Sequence, residues 1–231
     1  MTMLDRFAAT FLDLDVAARY APEMLAGLLV TLAIGLAVIV TGVGVGLALA
    51  VLRAFGFRAL DFVLIQIVDI LRALPPLVII LIIYFGLPNV GIVIPSFVVL
   101  WMSLSAVLAA FSEELFWAGI TAIPTGQWLA ARASGLGFFQ TLRYVILPQA
   151  VRIALPPLTS RTISITKNTA LGSAIGVNEI LGQAISAEAF SANATPLAMA
   201  AALYVLLFLP LVIASRSLEH RYRAGRRGWT R

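Results

Sequence analysis

Six ionisable residues stand inside or beside long apolar runs of this 231-residue chain: Asp69, Arg72, Glu113, Glu114, Arg161 and Lys167. A charge in hydrocarbon costs ~2.5 kcal/mol or more unless it is paired or hydrated, so each must have a partner or line water. Asp69 and Arg72 lie three apart on one helical face, the spacing of an internal ion pair. Glu113 and Glu114 are adjacent and point roughly 100° apart around a helix, which prevents them from sharing a proton as a catalytic carboxylate dyad. Glu114 is about 15 Å of helix above Pro124, near the middle of a bilayer. There it can meet the ammonium or guanidinium of a solute, or neutralise Arg161 or Lys167. Lys167 and Thr169, just past Pro156-Pro157, are placed to approach a solute carboxylate. Glu114, Arg161, Lys167 and Thr169 are thus the candidate lining of a solute path.

Covalent and metal chemistry are poorly provided for. There is no cysteine, and the lone histidine, His220, stands in a basic C-terminal tail. The only lysine, Lys167, is followed by Asn168, so no Gly-x-x-x-x-Gly-Lys-Ser/Thr phosphate loop exists. No enzymatic activity and no cofactor are expected.

The elements that position these residues follow from hydropathy. The chain is 61% apolar and 12% charged with a mean hydropathy of +1.00, beyond what a soluble domain of this size can hide from water. The net charge of +5 flanks apolar runs and answers to lipid headgroups, not to nucleic acid. Residues 24–52, 73–112 and 189–215 carry no charge at all. About 20 residues cross a bilayer core, so the 73–112 run holds parts of two spans, divided at Gly86–Pro95 by two prolines and two glycines. A further span over about 153–172 holds Pro156-Pro157, Arg161 and Lys167, so it is expected to be either broken or lined by protein and water, and it brings the total to five.

Residues 1–23 sum to −2, the loop after the first span is basic, the 124–152 loop holds Arg132, Arg143 and Arg152, and the tail from 216 has six arginines against Glu219. Basic and non-basic connections alternate, which puts the N-terminus outside and the C-terminus in the cytoplasm. The expected organisation is an external segment over 1–23, a membrane domain over 24–218 and a basic cytoplasmic tail over 219–231. In the first span, Gly42 and Gly46 share one helical face and suit a close helix–helix approach.

The 124–152 segment is the most distinctive. Residues 126–134 are helix-permissive and end at Gly135. A second short helix follows, with Phe138, Leu142, Val145 and Ile146 as an apolar stripe for the bilayer surface. Leu147-Pro148 is expected to stop it. The product is a rigid bent knob facing the cytosol.

Here the chain resembles the permease subunits of type I ABC importers for polar amino acids, whose cytoplasmic signature reads Glu-Ala-Ala, then Gly, then Leu-Pro. Gly126-Gln127-Trp128, Ala130-Ala131-Arg132, Gly135-Leu136 and Thr141 through Ala150, including Leu147-Pro148, carry the match. Asp69-Ile-Leu-Arg72-Ala-Leu-Pro75, Lys167-Asn-Thr169-Ala-Leu171 and Ile175 through Leu181 extend it over about residues 22–220. Leu129 stands in place of the signature Glu, Trp117-Ala118 in place of Arg-Gly, Asn168 in place of Asp, and Glu113 where the family is small and apolar.

The resemblance implies an all-α integral membrane protein of about five transmembrane helices with a cytoplasmic coupling helix, in a bacterial inner membrane. It also implies separate ATP-binding cassette subunits that dock on residues 126–132, Gly135, Leu147 and Pro148, and a solute-binding protein outside. Five helices are too few to wrap a gated path, so a second copy or a similar permease is expected beside this one. The competing reading is a self-sufficient secondary transporter or channel, which would show inverted repeats; none is visible.

Overall fold

The computed structural model describes residues 2–227, with side chains described through residue 217. Among the described residues it is helical throughout, with no strand. Ten α-helices follow in order: α1 (Met3–Phe11), α2 (Leu14–Arg53), α3 (Arg58–Ala73), α4 (Pro76–Gly86), α5 (Ser96–Thr121), α6 (Thr125–Ala133), α7 (Phe138–Thr141), α8 (Leu147–Lys167), α9 (Ile180–Ser191) and α10 (Thr195–Arg227). The backbone of the expected basic tail continues α10 as far as Arg227. Its side chains, His220 included, lie outside the described residues.

Local chemistry sets the ends of these helices. Thr2 and Asp5 form a reciprocal capping box on α1, and the Asp13 carboxylate accepts from the Asp15 and Val16 amides to start α2. α3 stops at Leu74, whose extended backbone (φ −81°, ψ 136°) is what a residue before proline prefers, and α4 restarts with Pro76 in its first turn. The break expected at 86–95 is a 3₁₀ turn over Leu87–Val90 followed by irregular chain.

Three stretches are long and apolar enough to cross a membrane: Met3–Arg53, Ser96–Thr121 and Thr195–Ser217. The broken pair α3–α4 makes a fourth if it is one crossing. α8, in the place of the expected 153–172 span, carries Arg152, Arg161 and Lys167 and falls outside that group.

Three local expectations are corrected. Leu147-Pro148 does not stop a helix. A single π-helical turn over Leu142–Ile146 precedes it, with the Leu147 amide donating to the Leu142 carbonyl, and this wider turn lets the chain run directly into α8 past the proline ring. Pro156-Pro157 does not break the span either, because α8 passes through both and ends only at Lys167, where a 3₁₀ stretch, Asn168–Ile175, takes over. The stripe of Phe138, Leu142, Val145 and Ile146 faces protein instead of lipid: Leu142 and Ile146 are fully buried.

The chain divides into two compact units. One holds the chain up to Val38 with Pro76–Leu104 and Ile165–Ile213. Its core gathers Met24, Ile180, Ala184 and Ala200, and Gly27 brings α2 against the Glu179 carbonyl, where a Cβ would sit 3.0 Å away. The other holds Ile39–Pro75, Ser105–Ser164 and the chain from Ala214. Its core joins Ala50, Phe116, Ile120, Ile123, Leu142, Ile146, Ala150, Ala154 and Leu158. In that unit Gly42 and Gly46 face α5 as their spacing implied. A Cβ on Gly42 would be 2.8 Å from the Leu108 Cβ, and one on Gly46 would be 2.7 Å from the Ala109 carbonyl oxygen and in collision with the Ser112 side chain.

Candidate functional site

The bent element over 124–147, expected to face the cytosol, is built from a short helix and a glycine turn. α6 starts where the Pro124 carbonyl accepts from the Gln127 amide at 2.9 Å. It ends in a Schellman arrangement: the Gly135 amide donates to the Arg132 carbonyl at 3.0 Å and the Leu136 amide to the Ala131 carbonyl at 3.3 Å, with Gly135 at φ +88°. Gln140 then caps α7 by accepting from the Gly137 amide at 2.9 Å.

The element is rooted by its inward residues. Ala131 is buried, Trp128 stacks on Phe138 with centroids 5.6 Å apart, and Phe138 meets Phe55 at 5.4 Å. Gly126, Gln127, Leu129, Ala130 and Arg132 are turned outward, Leu129 at 70% exposure. Leu147 is half-buried against the core and Pro148 is exposed. The result is a rigid surface of small, apolar and basic groups held on a packed base.

The same unit holds two ionic arrangements. Arg53, in the last turn of α2, places Nη1 3.0 Å from Glu113 Oε1 on α5, and its guanidinium lies 4.5 Å over the Trp117 ring. Glu113 is 1% exposed, so its carboxylate is sealed, while Arg53 keeps 18% of its surface. Sequence reasoning missed it. The available signal was that Glu113 and Trp117, both departures from the family pattern, fall one helical turn apart, so that one cation can serve both.

The second arrangement is open. Arg72 Nη1 is 3.4 Å from Asp69 Oδ1, and Nη2 is 2.7 Å from Glu114 Oε2. Phe111 lies under both Arg72 (5.4 Å) and Arg161 (4.1 Å). Glu114 is therefore neutralised by Arg72, not by Arg161 or Lys167 as the sequence had suggested, because α3 brings Arg72 to it.

In the other unit, Lys167 is exposed, with its ammonium 5.7 Å from the Phe208 ring centroid. It lines an open cleft of 460 Å³ with Tyr204, Val205, Phe208 and Leu209. Thr169 is not beside it in that cleft. It is fully buried and its hydroxyl donates to the Thr166 carbonyl at 2.9 Å. Close by, the buried Glu179 carboxylate accepts from the Leu181 and Gly182 amides and from the Tyr204 hydroxyl at 2.6 Å, which ties the start of α9 to α10. Burial pushes the Glu179 carboxyl up from its usual range against the pull of those three donors. Among the described residues no cluster of three or more His, Asp or Glu is arranged to hold a metal.

Residues 42–224 match the family model described as binding-protein-dependent transport system inner membrane component. The chain belongs to that family. The permease is 33% identical over 216 residues to the probable glutamine ABC transporter permease protein GlnP of Bacillus subtilis (strain 168), covering 90% of this chain and 99% of that one. It is 30% identical to the arginine transport system permease protein ArtQ of the same organism, covering 92% and 98%. Among solved structures, an amino acid ABC transporter crystallised with histidines aligns with a TM-score of 0.81 at 30% identity, over 91% of this chain and 99% of that one. The methionine ABC transporter MetNI aligns with a TM-score of 0.62 at 24% identity and shares the fold. The type I importer fold is thereby established. As a permease subunit the chain is not itself an enzyme, and ATP hydrolysis belongs to a separate subunit.

Proposed function

We propose that this permease carries a polar amino acid, or a derivative of one, across the inner membrane, receiving it from an extracytoplasmic binding protein and driven by ATPase subunits docked on the cytoplasmic element. The N-terminus is external and the C-terminus cytoplasmic, and a second permease, identical or similar, completes the path. The observation that carries this reading is the rooted docking element: an outward face at Gly126, Gln127, Leu129, Ala130 and Arg132, fixed through Trp128 and Phe138 to the core of its unit. Such a base transmits displacement instead of absorbing it. The relatives named for glutamine and arginine transport support amino acids as the substrate class.

Proteoliposomes holding the permease with the ATPase and binding protein of its own transport system test this. ATP hydrolysis stimulated by loaded binding protein, together with ATP-dependent uptake, is expected. Gly135→Pro, which cannot adopt φ +88°, should abolish the coupling. ATP-independent uptake by this chain alone would refute the proposal. Because the chain has no cysteine, a single Leu129→Cys label checks topology, and reaction from the extracytoplasmic side would overturn the orientation.

A further inference from the structure

If this chain lines a solute path, as proposed above, the charges left without a counter-ion state what the solute must carry. Glu114 and Asp69 share one guanidinium, that of Arg72, which holds Glu114 at 2.7 Å and Asp69 only at 3.4 Å. Arg161 differs. Exposed on α8, it has no carboxylate within ion-pair distance among the described residues, and its guanidinium rests on the Phe111 ring at 4.1 Å. An aromatic face attracts a cation by ~0.5–2 kcal/mol but removes none of its charge and accepts none of its five N–H groups in the manner of an oxyanion. An unpaired guanidinium in a membrane bundle must therefore border water. Among the described residues Lys167 has the same character, with its ammonium over the Phe208 ring and no carboxylate in ion-pair distance. The uncommitted charges of the candidate lining are thus both positive.

We propose that Arg161 is the carboxylate receptor of the path: it takes a free carboxylate of the solute on its planar fork, backed by Phe111, and the substrate is an amino acid or derivative with at least one free carboxylate and no net positive charge. The planar fork matches two carboxylate oxygens at once, which an ammonium does not. The solute's ammonium finds Asp69, the more exposed of the two acids at 59% and the more loosely held. With the solute's carboxylate on Arg161 and its ammonium at Asp69, a second positive charge on the solute would meet only Glu114, which Arg72 already holds at 2.7 Å.

The purified permease–ATPase complex, free of binding protein, tests this by equilibrium dialysis against labelled L-glutamine, L-glutamate, L-arginine and agmatine, the last being arginine without its carboxylate. Glutamine or glutamate should bind, with arginine and agmatine at least about 10-fold weaker. Arg161→Gln should weaken the bound carboxylate ligand at least 10-fold. Arg161→Lys, keeping the charge and losing the fork, should fall between. Agmatine or arginine binding as tightly as the others, no binding of any of the four, or an Arg161→Gln dissociation constant within two-fold of the parent's would overturn the assignment. ATP-independent uptake by the wild type would instead overturn the proposed function, and the two failures are read in different assays.

Discussion

Arg53→Ala should be among the most damaging single substitutions in the permease, although the residue ends a helix beside a loop. The change leaves Glu113, at 1% exposure, as a buried carboxylate without its cation. Removing one member of a buried pair costs ~3–5 kcal/mol. Arg53 keeps 18% exposure, so water can partly replace it and the lower end applies. The lost stacking over Trp117 adds ~0.5–1 kcal/mol, for ~3–4 kcal/mol in all. For a chain of this length 1 kcal/mol moves the melting temperature by ~2–4 °C, so a fall of about 10 °C is expected in detergent, followed by tryptophan fluorescence. The double variant Arg53→Met with Glu113→Leu removes both charges and fills their volume, and should recover most of that loss, giving a coupling of ~2–3 kcal/mol in the cycle. A single-variant shift below ~2 °C, or additive effects in the double variant, would refute the reasoning.

Three further outcomes follow from contacts. Gly46→Val should cost ~1–3 kcal/mol or more because the new Cβ meets the Ala109 carbonyl and the Glu113 amide, whereas Gly44→Ala, with nothing within 4 Å, should leave the melting temperature unchanged or slightly raised. Tyr204→Phe removes a 2.6 Å donor to a buried carboxylate and should lower stability by ~1.5–3 kcal/mol, read by thermal unfolding. Leu129→Glu, at a 70% exposed position, should shift stability by no more than ~0.5 kcal/mol while changing the affinity for the ATPase subunit, measured by co-purification under rising salt.

Period and charge carried most of the architecture. The charge-free runs hold most of α2, all of α4 with much of α5, and most of α10, and the Gly/Pro cluster at 86–95 became a turn, because both features act within a few residues of where they are read. Expectations failed where an outcome depended on what lies across the fold. Pro148 reads as a helix stop locally, yet one π turn accommodates it, since Leu142 and Ile146 gain a core by staying in register with α8. The Phe138–Ile146 stripe has the pattern of a bilayer-facing surface, and only the position of Ala50, Phe116 and Ala150 decides that protein covers it. Glu114 was one of several acids with several possible cations, and the sequence holds no measure of which helix delivers one.

Burial divides the ionisable residues near α5 into two kinds. Glu113 is withdrawn from solvent and Arg53 nearly so, and they satisfy each other, so the pair fixes α2 to α5 and leaves Glu113 nothing to offer a passing solute. Arg72, Asp69 and Glu114 keep between about a third and more than half of their surface, and Phe111 lies under both Arg72 and Arg161. Contacts this exposed contribute little to stability, so no gain in folding free energy accounts for placing four charges in a membrane bundle. Their cost is offset only if water and ions or a charged solute reach them, a condition that the proposed role of Arg161 requires and that the buried Glu113 does not meet.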